Sequence, residues 1–227
     1  PKVFNFVELG PGDGSLTKVI ISTLQKFPEL NRAIKIYLYE KSLFLKKLQK
    51  QNIDNKRIKW IKNFDSIKKG PVIFFGNEFF DAIPIKQFSN INNELFEKCY
   101  LVKNNIDIIE KFIRCNKKDV AQIMTFGTLK KLKFIEFPKK GLIELNPIIK
   151  KINKLSGGIL LIDYGYLNSN NSNTIQAVMG NKKISAETML KNLGKADITS
   201  LVNFNLLKEY FLKNNLKAVS YTHLTLP

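Results

Sequence analysis

The stretch Phe6-Val7-Glu8-Leu9-Gly10-Pro11-Gly12-Asp13-Gly14-Ser15 decides how this chain is read. It closes an apolar run, Val3 to Val7, which reads as a buried parallel strand. Three glycines at alternate positions then form a turn, and a helix-patterned segment follows. Leu16, Val19, Ile20, Leu24 and Phe27 fall at helical spacing and are expected on the inward face. A strand, a glycine-rich turn and a helix open a doubly wound α/β unit, in which ligands sit at the carboxyl ends of the strands.

The spacing selects between ligands. A dinucleotide fingerprint, Gly-x-Gly-x-x-Gly, seats a pyrophosphate on the helix N-terminus. Gly10 and Gly12 fit it, but Ser15 stands at the third position and Gly14 comes one residue early. Glu8, two residues before the first glycine, would repel a pyrophosphate and attract an ammonium or sulfonium. Glu-x-Gly-x-Gly-x-Gly resembles the first motif of Rossmann-like methyltransferases that use S-adenosyl-L-methionine (SAM). A glycine turn that serves only tight packing is the competing reading.

Other acidic groups follow the same logic. Ile34 to Tyr39 reads as the second strand and ends in Glu40, placed to accept both ribose hydroxyls of a nucleoside. Ser42 is an expected N-cap for the next helix, with Leu45 and Leu48 inward. Ile58 to Ile61 is a third strand, with Phe64 and Asp65 where an adenine-reading loop would lie. Val72 to Phe75 is a fourth, continuous and buried in character, running into Gly76-Asn77-Glu78-Phe79-Phe80-Asp81-Ala82-Ile83-Pro84. Two carboxylates, an amide and two rings at the end of a central strand can hold a cationic or amide nitrogen and take its proton.

From Gln87 the pattern changes. Glu94 to Val102 and Ile106 to Ile113 read as two strands joined at Lys103-Asn104-Asn105, while Asp119 to Pro138 is ambiguous. The core is expected to restart at Glu144, with Asn146 capping a helix and Pro147 in its first position, ending at Gly157-Gly158. Ile159 to Ile162 is the fifth strand; Asp163 and Tyr164 at its tip share the cleft of Asn77 and Glu78. A polar loop, Leu167 to Asn173, precedes short strands at Thr174 to Val178, Asp197 to Thr199 and Val202 to Phe204, and an amphipathic helix through Leu206, Leu207, Tyr210 and Phe211.

Composition narrows the partners. The 227 residues carry a net charge of +18, which suggests nucleic acid. Yet only Arg32, Arg57 and Arg114 are arginine, and the lysines are scattered among isoleucine and asparagine. Bidentate phosphate or base contacts favour arginine, so the charge reads as a solvated lysine-rich surface with no specific nucleic-acid partner. No apolar run suits membrane insertion. Cys99 and Cys115 have no CxxC spacing and no ligand partners nearby, which reads as a reducing compartment; no metal site is expected. The only histidine, His223, lies in Ser220 to Pro227, expected to be a non-native tail because it resembles translated adapter sequence. Imidazole-based catalysis is therefore not expected.

Four stretches in order, Glu8 to Leu16, Asn77 to Pro84, Ile162 to Tyr166 and Asp197 to Phe204, resemble the MidA-like SAM-dependent methyltransferases. The resemblance covers nearly all of Pro1 to Val219, and Asn-Glu-Phe-Phe-Asp-Ala is its most specific block. The family includes a mitochondrial assembly factor that methylates an arginine on a respiratory complex I subunit. The resemblance implies a class I, Rossmann-like α/β core, a mostly parallel doubly wound sheet of seven strands, with an inserted β-rich subdomain. The expected division is 1–86 and 139–219 for the core, 87–138 for the insertion and 220–227 for the tail, with the chain truncated at both ends relative to the family. Cofactor contacts are implied at Glu8, Gly10, Gly12, Gly14, Glu40, Asp65 and Asn77. Catalytic roles fall to Glu78 first, then Asp81 and Asp163, with Asn77 beside them. Asp13 stands where the family commonly carries a basic residue. The implied function is transfer of methyl from SAM to an arginine of a complex I subunit, in the bacterial cytoplasm or mitochondrial matrix. A non-catalytic assembly scaffold and, less favoured, a nucleic-acid methyltransferase are the alternatives. The latter class carries Asn/Asp-Pro-Pro-aromatic at the fourth-strand tip, where this chain has Asn77-Glu78.

Overall fold

The computed structural model describes residues 3–103, 107–168, 170–180, 182–192 and 194–221. The expected turn at Asn104-Asn105, Ser169 of the polar loop and most of the expected tail, with His223, lie outside the described residues. In chain order the elements are β1 (Phe4–Leu9), α1 (Ser15–Gln25), α2 (Pro28–Ala33), β2 (Ile34–Tyr39), α3 (Leu43–Asn52), β3 (Lys59–Ile61), β4 (Val72–Asn77), β5 (Lys86–Ile91), β6 (Glu94–Lys103) and β7 (Asp107–Arg114). They continue with α4 (Lys117–Met124), β8 (Phe134–Phe137), α5 (Lys139–Leu155), β9 (Gly157–Ile162), β10 (Gly165–Tyr166), β11 (Gln176–Met179), β12 (Lys182–Lys183), α6 (Ala186–Lys191), β13 (Asp197–Thr199), β14 (Val202–Asn203) and α7 (Phe204–Lys213). The chain forms two compact units, one of Pro1–Phe80 with Glu144–Asp163, the other of Asp81–Ile143 with Tyr164–Pro227. Among the described residues no helix is long and apolar enough to cross a membrane.

The first unit holds a five-stranded sheet in the order β3-β2-β1-β4-β9, parallel throughout. The further two strands of the implied seven are not among the described residues of this sheet. The order reverses between β1 and β4, and that reversal is where open α/β sheets bind ligands. On β2, Ile34, Ile36 and Leu38 join Leu24 of α1 and Ile53 after α3 in one buried cluster, with Ile20, Ile21 and Trp60 packed against it. Tyr39 faces the other way. Its ring lies 5.0 Å from that of Phe64, which meets Phe74 at 5.1 Å, and its hydroxyl donates to Glu144 of α5. At the start of β1, the buried Asn5 side chain donates to the carbonyls of Lys69, Gly70 and Pro71, tying that strand to the approach to β4.

Three expectations need correction here. Leu16, Val19 and Phe27 are 36%, 59% and 55% exposed, while Leu24 is buried and Ile20 packs on the core as expected; Thr17 joins them on the inward face. Thr17 is drawn in because its hydroxyl donates to Glu8. β4 is not buried on both faces: Val72 and Phe74 are enclosed, but Ile73 is 43% exposed. Pro147 does not open a helix. α5 begins at Lys139 and passes through it, since Leu142, Leu145, Ile148, Ile149 and Ile152 form one buried stripe across the interruption. A proline removes the bond to the carbonyl four residues earlier. That residue is Ile143, itself 59% exposed.

The second unit contains a four-stranded antiparallel sheet, β7-β6-β5-β8, a three-stranded one, β12-β11-β13, and the parallel pair β10-β14. The ambiguous Asp119 to Pro138 segment resolves into the end of α4, a turn region and β8. Phe204 is not strand but the first residue of α7, because the Asn203 side chain accepts the N–H of Leu206 and caps the helix. Buried polar groups join the pieces. Glu136 accepts from Gln87 and from the N–H and hydroxyl of Thr174. Asp119, only 1% exposed, pairs with Lys86 at 3.0 Å and Lys139 at 2.5 Å. Burial works to raise its pKa, but hydrogen bonds from Lys139, Lys86 and Asn116 prevail and hold it at about 2. The Glu209 carboxylate takes the N–H groups of Gly127 and Thr128, binding α7 to that turn.

Candidate functional site

The glycine turn grows directly from β1. Gly10, Gly12 and Gly14 all have positive φ, at 61°, 57° and 87°, a conformation L side chains rarely adopt. They are not equivalent. A Cβ on Gly10 would lie 3.1 Å from the Phe79 ring, and one on Gly14 would lie 2.7 Å from Cδ1 of Ile53. A Cβ on Gly12 would meet nothing within 4 Å. Gly10 and Gly14 thus permit packing, whereas Gly12 leaves space in front of the turn for a ligand to approach the backbone. The packing reading of the turn therefore accounts for two glycines and not for the middle one.

The N-terminus of α1 carries its own anion. Asp13 accepts the Ser15 N–H at 2.9 Å and the Ser15 hydroxyl at 2.8 Å, which lower its pKa. A carboxylate already complements the helix dipole here, so a pyrophosphate would meet repulsion at the place a dinucleotide fold offers it. This also gives Asp13 a local role. Glu8 is 3% exposed, and burial raises its pKa despite the hydrogen bond from Thr17. Burying a carboxylate is costly unless it is paired, so a positive charge brought to the turn would favour its ionised form.

Glu40 follows β2. One oxygen accepts the Ser42 N–H at 2.7 Å and the other accepts the Gln49 amide at 3.2 Å. Ser42 in turn caps α3 through the Leu45 N–H. Each carboxylate oxygen has a further lone pair for a hydroxyl donor. Asp65 is exposed, and its N–H closes an Asn63 turn after β3.

At the carboxyl end of β4, Leu9 of β1 is in register with Gly76, and Asn77 with Ile162 of β9. The turn after β1 and the residues after β4 and β9 thus stand side by side. Glu78 has φ of 48°, and its N–H donates to the Ile162 carbonyl at 2.8 Å. A non-glycine residue held in this region is strained, and such strain gathers at functional sites. Asn77 and Glu78 are exposed, while Phe80 is buried. Asp163 accepts the Phe80 N–H at 2.9 Å and so fixes the loop that carries Glu78. Gly76 lets the loop fold back: a Cβ there would lie 3.0 Å from both Phe79 and Leu161. Asp81 is 6% exposed and falls in the second unit, where its carbonyl accepts the Ser200 N–H. Tyr164 also falls there, 64% exposed.

Sequence reasoning missed Gln49. It sits in α3, fully buried, and reaches Gly12 as well as Glu40. The available signal was an amide at a position where the helical stripe through Leu45 calls for an apolar side chain.

These residues fit SAM: open space at Gly12, a buried carboxylate at Glu8 and, at Glu40, a carboxylate with lone pairs left for hydroxyl donors. The chain is 28% identical to a Caenorhabditis elegans protein named protein arginine methyltransferase NDUFAF7 homolog, mitochondrial, over 90% of this chain and 52% of that protein. It is 22% identical to the Xenopus laevis protein arginine methyltransferase NDUFAF7, over 92% of this chain and 52% of the relative. The chain thus spans about half the length of these curated relatives. A COG1565 superfamily member from Burkholderia thailandensis, solved bound to S-adenosyl-homocysteine, superposes with a TM-score of 0.71 at 14% identity. That match covers 93% of this chain and 56% of the solved one, and shows a common fold. The expected Rossmann-like class and its cofactor agree with these findings. Residues 1–222 match the family described as "Putative S-adenosyl-L-methionine-dependent methyltransferase", and the chain belongs to that family.

Proposed function

We propose that this chain is the catalytic core of a protein-arginine methyltransferase that modifies a subunit of respiratory complex I and supports its assembly. The reading places it in the bacterial cytoplasm or the mitochondrial matrix. One observation carries it: the loop after β4 holds Glu78 in a strained left-handed conformation beside the glycine turn. Its N–H is fixed on Ile162 and the loop behind it is fixed by Asp163. The names of the relatives support the acceptor class.

SAM supplies a sulfonium-bound methyl group. A guanidinium presents no free lone pair while its charge is delocalised over three nitrogens. Glu78 accepts N–H bonds from the acceptor, concentrates the charge on one side and receives the proton as the N–C bond forms and the C–S bond breaks. Asn77 orients the acceptor nitrogen, and Asp163 keeps the Glu78 loop in position. Glu8 and Glu40 would hold the cofactor's charged and ribose groups. In-line displacement needs positioning above all, so rigidity of this loop is the contribution that counts.

The test is methyl transfer from labelled SAM to complex I subunits or arginine peptides by wild type and Glu78→Gln. Turnover should fall by about 10² or more, the usual contribution of a general base, with S-adenosyl-homocysteine affinity held within about threefold. Wild-type-like turnover in Glu78→Gln would remove the base assignment. A non-catalytic scaffold is the second reading, favoured by the β6–β7 ribbon, where Val102, Ile109, Phe112 and Ile113 are 67%, 43%, 43% and 43% exposed. A scaffold would show no transfer in the wild type and unaltered partner binding in Glu78→Gln.

A further inference from the structure

We infer that Gln49 is a positioning residue for the ribose end of the cofactor site: it locks the glycine turn and Glu40 into one fixed arrangement. The inference rests on the cofactor reading of Gly10–Gly14 and Glu40.

Gln49 is 0% exposed, and every polar hydrogen and one acceptor of its amide are engaged. Its Nε2 donates to the Gly12 carbonyl at 2.7 Å and to a Glu40 carboxylate oxygen at 3.2 Å. Its Oε1 accepts the indole N–H of Trp60 at 3.0 Å. The indole can only donate, so it settles which end of the amide is oxygen and turns both N–H groups toward the site. Lys50 lies over the Trp60 ring at 5.7 Å, covering the indole that sets the amide.

The same helical turn clamps the rest of the loop. Asn52 donates to the Asp13 carbonyl at 3.0 Å. Ile53 packs where a Gly14 Cβ would stand, with Cδ1 at 2.7 Å. Gln49 and Asn52, three apart on one face of α3, and Ile53 just beyond its end meet Gly12, Asp13 and Gly14 in order. Asn52 binds the turn, and Ile53 also belongs to the buried cluster with Leu24 and Ile36. Gln49 alone also touches Glu40, whose second oxygen is already held by the Ser42 N–H. Removing the amide would leave Glu40 fixed by one bond and free to rotate, so that ribose hydroxyls would meet a carboxylate of undefined orientation. Preorganised groups bind more tightly because less freedom is lost on binding.

The test is a double-mutant cycle, read by calorimetric titration of the purified protein with S-adenosyl-homocysteine. Gln49→Met should weaken binding about tenfold or more in the wild-type background. With Glu40→Ala already present, the further loss should shrink to about threefold or less, the part that acts through Gly12. Trp60→Phe keeps the ring but removes the indole N–H. It should weaken binding severalfold and keeps the inference testable if Gln49→Met does not fold. Equal losses from Gln49→Met in both backgrounds, or none in either, would overturn the inference while leaving the cofactor site standing. No binding by the wild type would overturn the cofactor reading, and this inference with it.

Discussion

Gly12→Ala separates a glycine kept for a ligand from one kept for packing. At φ of 57° an added Cβ costs about 1–2 kcal/mol, the ordinary penalty of an L residue in the left-handed region. No steric contribution is added, because nothing lies within 4 Å of that position. For a chain of this size the loss corresponds to a fall in melting temperature of roughly 2–8 °C. Gly14→Ala incurs the same backbone cost at φ of 87°, and its Cβ would also lie 2.7 Å from Ile53. Overpacking of that kind adds about 1–3 kcal/mol, so Gly14→Ala should be the less stable variant by roughly that amount. Binding should rank the other way. The Gly12 methyl fills the space through which a ligand reaches the turn, and S-adenosyl-homocysteine affinity should drop at least tenfold, about 1.4 kcal/mol. In Gly14→Ala the methyl points into the protein, and any affinity change should follow only from disturbance of the turn. Thermal unfolding without ligand and calorimetric titration at a temperature where both variants are folded measure the two quantities. Unaltered affinity in Gly12→Ala, at the expected stability, would refute the claim that a ligand approaches the turn there.

Three further outcomes are expected. Glu8→Gln should raise the melting temperature of the ligand-free protein at pH 7 and weaken S-adenosyl-homocysteine binding: a folded pKa above the ordinary value means stability is lost as pH rises, and the amide removes that loss. Asp119→Asn should cost about 2 kcal/mol in urea unfolding at pH 7, from the fall in pKa from 3.8 to about 2. Because the folded pKa is depressed, that contribution is present above about pH 4 and disappears as pH falls toward 2, so wild type and variant should converge there. Gly157→Ala should prevent normal folding of the first unit, since its Cβ would lie 1.8 Å from the Val72 carbonyl at φ of 130°; a soluble variant with wild-type circular dichroism would contradict the β4–β9 pairing.

What the sequence made legible followed from local chemistry. The glycine turn, the acid after β2 and the amide-acid pair after β4 could each be placed because strand ends are marked by abrupt changes from β-branched and aromatic residues to glycine, serine or charge. Ile34–Tyr39 could be bounded to the residue for the same reason. Where two forces compete, local signals mislead. Pro147 is a strong helix-start signal, yet the apolar stripe from Leu142 to Ile152 overrides it. The hydrophobic periodicity of α1 pointed to Val19, but the buried Glu8 needs a hydroxyl partner and turns the helix toward Thr17.

Gln49 marks the deeper limit. The stripe through Leu45 points position 49 inward, but what its amide would meet lies at three separate places in the sequence: Gly12, Glu40 and Trp60. No single window contains them. The glycine motif, Glu40 and the tryptophan of the third strand each look self-sufficient, yet one amide satisfies a polar group on each. That constrains how the site can change. Glutamate at position 49 would place two carboxylates together, and leucine would strand the indole N–H and the Gly12 carbonyl without partners, each at about 1–3 kcal/mol. An amide of this length is the side chain that meets all three demands, so substitutions at Trp60 should restrict those tolerated at Gln49 even though neither residue is expected to touch the methyl group.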